Sequence, residues 1–293
     1  MLPENQNLYY VGGVVRDELL NIPSYDIDYC YEGDAIEFAK QQGLNIIKTN
    51  PDFGTVHVKQ DNKDIDIAST RIETYKRKGH LPTVTQIGCS LKEDLIRRDF
   101  TINAMAKRTT DNELIDYYGG QEDIKNKKLK ILHKNSFVDD PTRIIRGLKF
   151  SIRFGFELSE ETRILQEEYL DNINYDMSYH RVRKELIETF NLNNPNAYDK
   201  FVEQKIYKLL GKNTKATNIK GIDIHNTLKG IRTEHVWLFY LAPFIFNGFN
   251  FDIISPHKSE KRIIEWASKL KEQKAENNTP KESLIIRRIL DNA

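Results

Sequence analysis

Signals for β-strands stop near residue 136 of this 293-residue chain, and that break constrains the fold more than any other feature. Before it, strand and helix patterns alternate. Leu8-Tyr9-Tyr10-Val11 is a short apolar strand ended by Gly12-Gly13, and a helical stretch follows over Val15 to Leu20. Ile27 to Tyr31 reads as a strand, and Asp34 to Gln42 as a helix closed by Gly43. Thr55 to Val58 and Asp64 to Ala68 alternate with period two, as half-buried strands do. After the break, Asp140-Pro141 sets a capping carboxylate before a helical proline, and Ile144, Leu148 and Ile152 form an apolar stripe. Further helices are predicted over 160–170, 179–190, 197–210, 259–276 and 280–290, while the polar, weakly periodic segment 212–230 reads as a linker or long loop. The pattern predicts an α+β fold, with a mixed front domain on a small sheet and an all-helical rear.

With 39% hydrophobic and 30% charged residues, disorder, collagen and a disulfide scaffold are excluded. The two cysteines, Cys30 and Cys89, have no zinc or redox spacing. The first residues are too polar for a signal peptide, and the longest apolar run, Val236 to Phe246, is 11 residues and contains Pro243. Such a run is too short for a bilayer, so a soluble cytoplasmic protein with no membrane partner is expected. The formal charge of +1 hides a split: residues 1–179 carry a net of −6 and residues 180–293 a net of +7. That asymmetry suits a polyanion held by the rear while the front uses carboxylates, although ordinary solvated helix faces would produce it too.

Three local features carry chemistry. Gly12-Gly13-Val14-Val15-Arg16-Asp17 places a glycine pair between strand and helix, where backbone can approach a phosphate closely. Asp26-Ile27-Asp28 follows, with two carboxylates on one strand face and Ile27 turned to the core; such a pair calls for hard divalent cations. Asp66, in another apolar strand, could supply a third carboxylate. Arg97 and Arg98 precede the apolar strand at Phe100 and could hold a triphosphate, or pair with Asp94 or Asp99 at the surface. Asp140, Arg143 and Arg146 fall on one side of a helix, where an acceptor and a bidentate donor one turn apart can satisfy a nucleobase edge; Asp140 is equally a natural cap. Singly, each feature also has a bland reading as a turn, a strand end or a cap.

Together, Gly-Gly-Val-Val-Arg-Asp, Asp-x-Asp, Arg-Arg-Asp-Phe-Thr-Ile-Asn-Ala and Asp-Asp-Pro-x-Arg-x-x-Arg resemble, in order and spacing, the class II tRNA nucleotidyltransferases (CCA-adding enzymes) and bacterial poly(A) polymerases of the polymerase-β superfamily, over about residues 8–190. The resemblance implies a nucleotidyltransferase head over 1–135, a helical neck over 136–211 and a reduced helical body and tail over 212–293. It implies template-independent addition of CTP and ATP to the 3′ end of tRNA, with two Mg²⁺ ions held by Asp26 and Asp28 and with Asp66 helping to activate the attacking hydroxyl. Gly12, Gly13, Arg16, Arg98 and Arg146 would contact the nucleotide and its phosphates, and Asn103 the sugar. Asp140 and Arg143 match the pair that reads the incoming base. Arg181, Arg183, Lys184, Lys205 and Lys208 are expected along the tRNA backbone.

Two departures stand out. Lys149 replaces an arginine common three residues after Arg146, and Phe53 a histidine frequent before Gly54-Thr55. The segment Arg71 to Ser90 resembles a flexible loop that CC-adding enzymes tend to lack, whereas Tyr31 to Phe38 resembles a branch that includes A-adding specialists. Full CCA addition is the first expectation, followed by A-addition and then poly(A) synthesis. A non-catalytic RNA-binding relative is the reading from another class, and it would be expected to lose one of Asp26, Asp28 or Asp66.

Overall fold

The computed structural model describes residues 2–24, 27–61 and 63–291. The chain forms two compact units, Met1–Asp139 with Glu157–Thr162, and Asp140–Phe156 with Arg163–Ala293.

The first unit is built on a seven-stranded sheet. Its strands are β1 (Leu8–Val11), β2 (Asp28–Tyr31), β3 (Asn45–Asn50), β4 (Thr55–Gln60), β5 (Lys63–Ser69), β8 (Ala106–Arg108) and β9 (Leu114–Ile115), in the order β3-β4-β5-β2-β1-β8-β9. The β2–β5 pair is parallel and its neighbours are antiparallel, so the sheet is mixed as expected. Strands β6 (Arg71–Thr74) and β7 (Thr83–Ile87) form a separate hairpin, and β10 (Lys128–Leu129) pairs with β11 (Glu157–Leu158).

Alternation decides which face each side chain takes. Tyr29, Val56, Val58, Ile65 and Ile67 bury one face with Phe38 of helix α2 (Ala35–Gln41). Tyr9, Val11 and Cys30 bury the other with Leu91 and Leu95 of helix α3 (Leu91–Ile96). Helix α2 starts where the side chain of Asp34 accepts from the amides of Ile36 and Glu37, and α3 starts with a Ser90–Glu93 capping box. Helix α1 (Gly13–Leu19) leaves β1 directly through Gly12, and α4 (Gly120–Lys125) and α5 (Ser136–Asp139) complete the unit.

Two expectations fail here. Ile27 is 41% exposed, not in the core, because the β2 ladder begins one residue later, at Asp28. The segment after Arg98 is no strand: Phe100 makes a single bridge to Ile131, and Thr101–Asn103 coils into a buried 3-10 turn.

The second unit is helical: α6 (Thr142–Phe154), α7 (Glu160–Asp171, whose first residues count with the first unit), α8 (Tyr179–Phe190), α9 (Pro195–Glu203), α10 (Gly221–Leu228), α11 (Val236–Ile245), α12 (Lys258–Lys269) and α13 (Lys281–Asp291). The apolar run that is too short for a membrane becomes α11, buried from Trp237 through Phe244. Its Tyr240 stacks on Phe190 at 5.6 Å, and Phe244 meets Phe201 and Tyr198. Among the described residues no helix is long and apolar enough to cross a membrane. The expected linker over 212–230 instead contains α10. The helix is short, with Ile224 and Leu228 buried, and it begins at a close approach: a Cβ at Gly221 would stand 2.1 Å from the Pro195 carbonyl oxygen, and the Gly221 amide donates to Asp199 at 2.7 Å.

Candidate active site

The carboxylates gather at one end of the central strands. Asp28 pairs with Asp66 across the parallel β2–β5 ladder, and both side chains are exposed. Neighbouring strands stand about 4.8 Å apart, so the two carboxylates share one small region. By parity they lie on the face of Cys30, opposite the Ile65–Ile67 core. His57, in register on β4, brings Nδ1 to 2.9 Å from Asp66 Oδ1, with Nε2 3.6 Å from Asp64 Oδ1. An open cavity of about 790 Å³ is lined by Ser24, Asp28, Gln60, Asp64 and Asp66 among others. Asp26 lies outside the described residues. Among those described, no group of three or more His, Cys, Asp or Glu could hold a metal ion by itself. The chemistry of the donor set nevertheless fits a hard divalent cation, since Asp28 and Asp66 offer carboxylate oxygens side by side at an exposed sheet end.

The glycine turn opens at the same end, because antiparallel β1 and β2 pair Tyr10 with Tyr29, so that β1 runs on to Val11 and Gly12 where β2 begins at Asp28. Gly12 has φ 71°, a conformation that favours glycine, and a Cβ there would stand 3.1 Å from Arg98 Nη1. Arg98 Nη2 donates to Asp94 Oδ2 at 3.1 Å, while Arg98 Nε is buried without a hydrogen-bond partner among the described residues. Arg97 turns inward, donating to Asp94 Oδ1 at 3.0 and 2.8 Å and to Glu73 Oε1 at 3.1 Å. Of the two arginines, Arg97 is thus taken up by internal ion pairs. Burial pushes the Asp94 carboxyl up, but the Arg98 and Arg97 guanidiniums beside it outweigh that and hold it below the usual carboxylate range.

Arg16, buried, donates through Nε and Nη2 to Asp17 Oδ1 at 2.8 and 2.6 Å, and through Nη1 to Asn103 Oδ1 at 2.6 Å. Asn103 in turn donates to Asp99 Oδ1 at 2.9 Å. Gly13 sits against the same guanidinium, with a Cβ there falling 3.4 Å from Arg16 Nη2. The structure therefore joins Gly12, Gly13, Arg16, Arg98, Asn103, Asp28 and Asp66 within the first unit. Sequence reasoning missed His57 and Glu73, and it set at the surface an arginine pairing with Asp94 that the structure builds on a buried carboxylate. Period-two alternation could have placed His57 on the carboxylate face, but no local signal marks Glu73 as buried.

In the second unit, Asp140 does two jobs. Its Oδ1 accepts from the amide and hydroxyl of Thr142 at 3.1 and 2.6 Å, and its Oδ2 pairs with Arg181. Arg143 is 4% exposed, with Nε 4.0 Å from Asp140 Oδ2. Arg146 Nη1 reaches Glu185 at 3.2 Å, and Lys149 pairs with Glu185 and Glu188 at 2.7 and 2.5 Å, so the lysine departure is accommodated by α8. Among the basic residues expected on RNA, Lys184 and Lys205 are exposed, and Lys208 pairs with Asp171 at 2.8 Å. Arg183 corrects the expectation. It is buried, donates to both oxygens of Glu260 at 2.8 and 3.0 Å, and lies 4.9 Å from the centre of the Trp237 ring, so it joins α8 to α12 and α11 and is closed to a phosphate backbone.

Residues 8–130 match the family described as the poly A polymerase head domain. The chain is 48% identical over 164 residues to the A-adding tRNA nucleotidyltransferase of Aquifex aeolicus, a match covering 54% of this chain and 20% of that protein. A solved structure of a CCA-adding enzyme in apo form superposes with a TM-score of 0.79 at 27% identity, covering 97% of this chain and 75% of the other. A tRNA nucleotidyltransferase complexed with a primer tRNA and an incoming ATP analog gives 0.74 at 27% identity, covering 97% and 91%. Residues 8–130 thus match the head domain of the poly A polymerase family, and the fold over nearly the whole chain is that of the solved CCA-adding enzyme and tRNA nucleotidyltransferase structures. The matches span between 18% and 50% of the length of the curated relatives.

Proposed function

We propose that this chain is a template-independent nucleotidyltransferase acting on the 3′ end of tRNA. The observation that carries the reading is the meeting, at one sheet end, of the Asp28–Asp66 register pair and the Gly12 turn with Arg98 against it. In the reaction, the RNA 3′-oxygen bonds to the α-phosphorus of the nucleoside triphosphate, the bond to the β-phosphate oxygen breaks and pyrophosphate leaves. Asp66 receives the hydroxyl proton, and its oxygen Oδ1 is oriented by His57. Arg98 and the amides of the Gly12-Gly13 turn neutralise charge on the triphosphate. Asn103 steadies Arg16 and faces the sugar. Asp26 and Asp28 are the residues to hold two Mg²⁺ ions, which when bound supply Lewis-acid polarisation of the α-phosphate and offset charge on the leaving pyrophosphate.

Asp140 and Arg143 are assigned to base selection, Arg146 to the nucleotide, and Arg181, Lys184, Lys205 and Lys208 to the tRNA backbone. The working division is a head over 1–135, a neck over 136–211 and a body and tail over 212–293, in a cytoplasmic protein. ATP is the proposed nucleotide, added to tRNA already ending in CC, because the relative from Aquifex aeolicus is named A-adding. Full CCA addition with both CTP and ATP, the first expectation from the sequence, stays as the second reading because the superposed apo structure is named a CCA-adding enzyme.

Replacing Asp28 tests the reaction. Asp28→Asn is expected to lose nucleotide incorporation by on the order of 10³-fold or more while the melting temperature holds. Retained activity in a folded variant would contradict the assignment.

A further inference from the structure

Two buried carboxylates and three half-buried guanidiniums behind the glycine turn form one connected group. Asp94 is fully buried, and its carboxylate serves three residues on two separate pieces of chain. Oδ1 accepts from Arg97 Nε and Nη2 and also from the backbone amide of Arg71, the first residue of β6, at 3.1 Å. Oδ2 accepts from Arg98 Nη2. Glu73, one turn of the pleat further along β6, is likewise buried and accepts from Arg71 Nε at 2.7 Å and Arg97 Nη1 at 3.1 Å. Arg71 continues outward, donating from Nη1 to the Phe53 carbonyl oxygen at 2.7 Å with its guanidinium 5.5 Å from the centre of the Phe53 ring. Three guanidiniums thus face two carboxylates, which leaves one positive charge uncompensated within the group. Arg97 is saturated by Asp94 and Glu73, whereas Arg98 has one nitrogen on Asp94, one against Gly12 and a buried Nε without a partner among the described residues. The excess positive charge is shared by the three guanidiniums, and the unpartnered donor among the described residues of the group is the buried Nε of Arg98.

We propose that Asp94 is a positioning residue, which fixes Arg98 against the Gly12 turn for a phosphate and, through the same carboxylate, ties the β6–β7 hairpin to that arginine. Movement at the hairpin root and phosphate binding at Arg98 are then coupled, since both draw on one carboxylate, whose Oδ1 accepts from the Arg71 amide and Oδ2 from Arg98. The inference rests on the proposed function, which puts the triphosphate at Arg98.

Inorganic pyrophosphate is the probe, because it carries the phosphate chemistry without base or sugar. Its affinity is measured on the full chain with Mg²⁺ for the native protein, Asp94→Asn and Glu73→Gln, each also with Arg98→Ala. Losing the charge that orients Arg98 is expected to weaken pyrophosphate about tenfold in Asp94→Asn, and about threefold in Glu73→Gln, where the link is one step longer. The matching rise falls on the nucleotide KM, and the tRNA KM moves by less than about twofold. In the Arg98→Ala background both effects disappear, as they must if the two acids act through that arginine. Unchanged pyrophosphate affinity in folded variants, or the same loss without Arg98, would overturn the inference while leaving nucleotidyl transfer standing. If Asp94→Asn does not fold, the Glu73→Gln pair decides alone. A native protein that binds no pyrophosphate and incorporates no nucleotide would overturn the proposed function and this inference with it.

Discussion

Single residues divide sharply by burial here. Asp28 and Asp66 are exposed, so their replacement should cost activity and spare stability, whereas Asp94 is buried between guanidiniums and its replacement should cost stability as well as phosphate affinity. Asp94→Ala is expected to lower stability by about 2–3 kcal/mol, because it leaves two half-buried arginines without their buried partner; denaturant unfolding measures it. The Asp94 carboxyl is held below its ordinary value, so its contribution is complete at neutral pH and is lost as pH falls through that lowered value. The stability gap between native protein and Asp94→Asn should therefore be flat above about pH 5 and close below about pH 4. A gap that widened on acidification would have the wrong sign. Arg183 follows the same logic: Arg183→Met should destabilise the helical unit through loss of the Glu260 pair and the Trp237 stack, and should leave the salt dependence of tRNA binding untouched. Gly12, Asp28, Asp66 and Arg98 were legible in the sequence as candidates because glycines, paired acids and arginines each demand a particular environment. Arg183 was misread because charge alone does not say whether a partner such as Glu260, 77 residues away, will bury it.

Elements explain where that legibility ends. Strand alternation in β4 and β5 was readable because one face must be apolar, and it carried His57 and Asp66 to the same side. The Gly12 turn was readable as a close approach, and the structure supplies the object approached, Arg98. Gly12→Ala puts a side chain into a left-handed backbone and against that guanidinium, so we expect a stability loss of about 1 kcal/mol with a larger loss of nucleotide affinity. Equal nucleotide binding by Gly12→Ala would detach the turn from the site. Helix α10 escaped prediction for the opposite reason: its glycine start and polar residues imitate a loop, and its buried stripe is only Ile224 and Leu228 behind Gly221, which fits onto Pro195. Likewise the apolar run at Val236 to Phe246 gave no period, since a helix buried on all sides has none to give.

At the scale of the whole chain, charge is segregated by sequence, with a net of −6 in residues 1–179 and +7 in residues 180–293. Carboxylates at the sheet end suit metal and triphosphate chemistry, and exposed lysines such as Lys184 and Lys205 suit an RNA backbone. If two to four such cations meet phosphates, tRNA affinity should fall with a slope of about −2 to −4 in log–log against salt; a flat titration would remove the rear half from RNA binding. The most direct measurement is one-nucleotide extension of three tRNAs, ending before CC, at CC and at CCA, each offered CTP, ATP or both with Mg²⁺. The account predicts that only the CC-ended tRNA grows, by one A, with release of one pyrophosphate per addition. Extension of the shortest tRNA through C, C and A would restore full CCA addition as the activity, and no extension of any substrate would contradict a nucleotidyltransferase altogether.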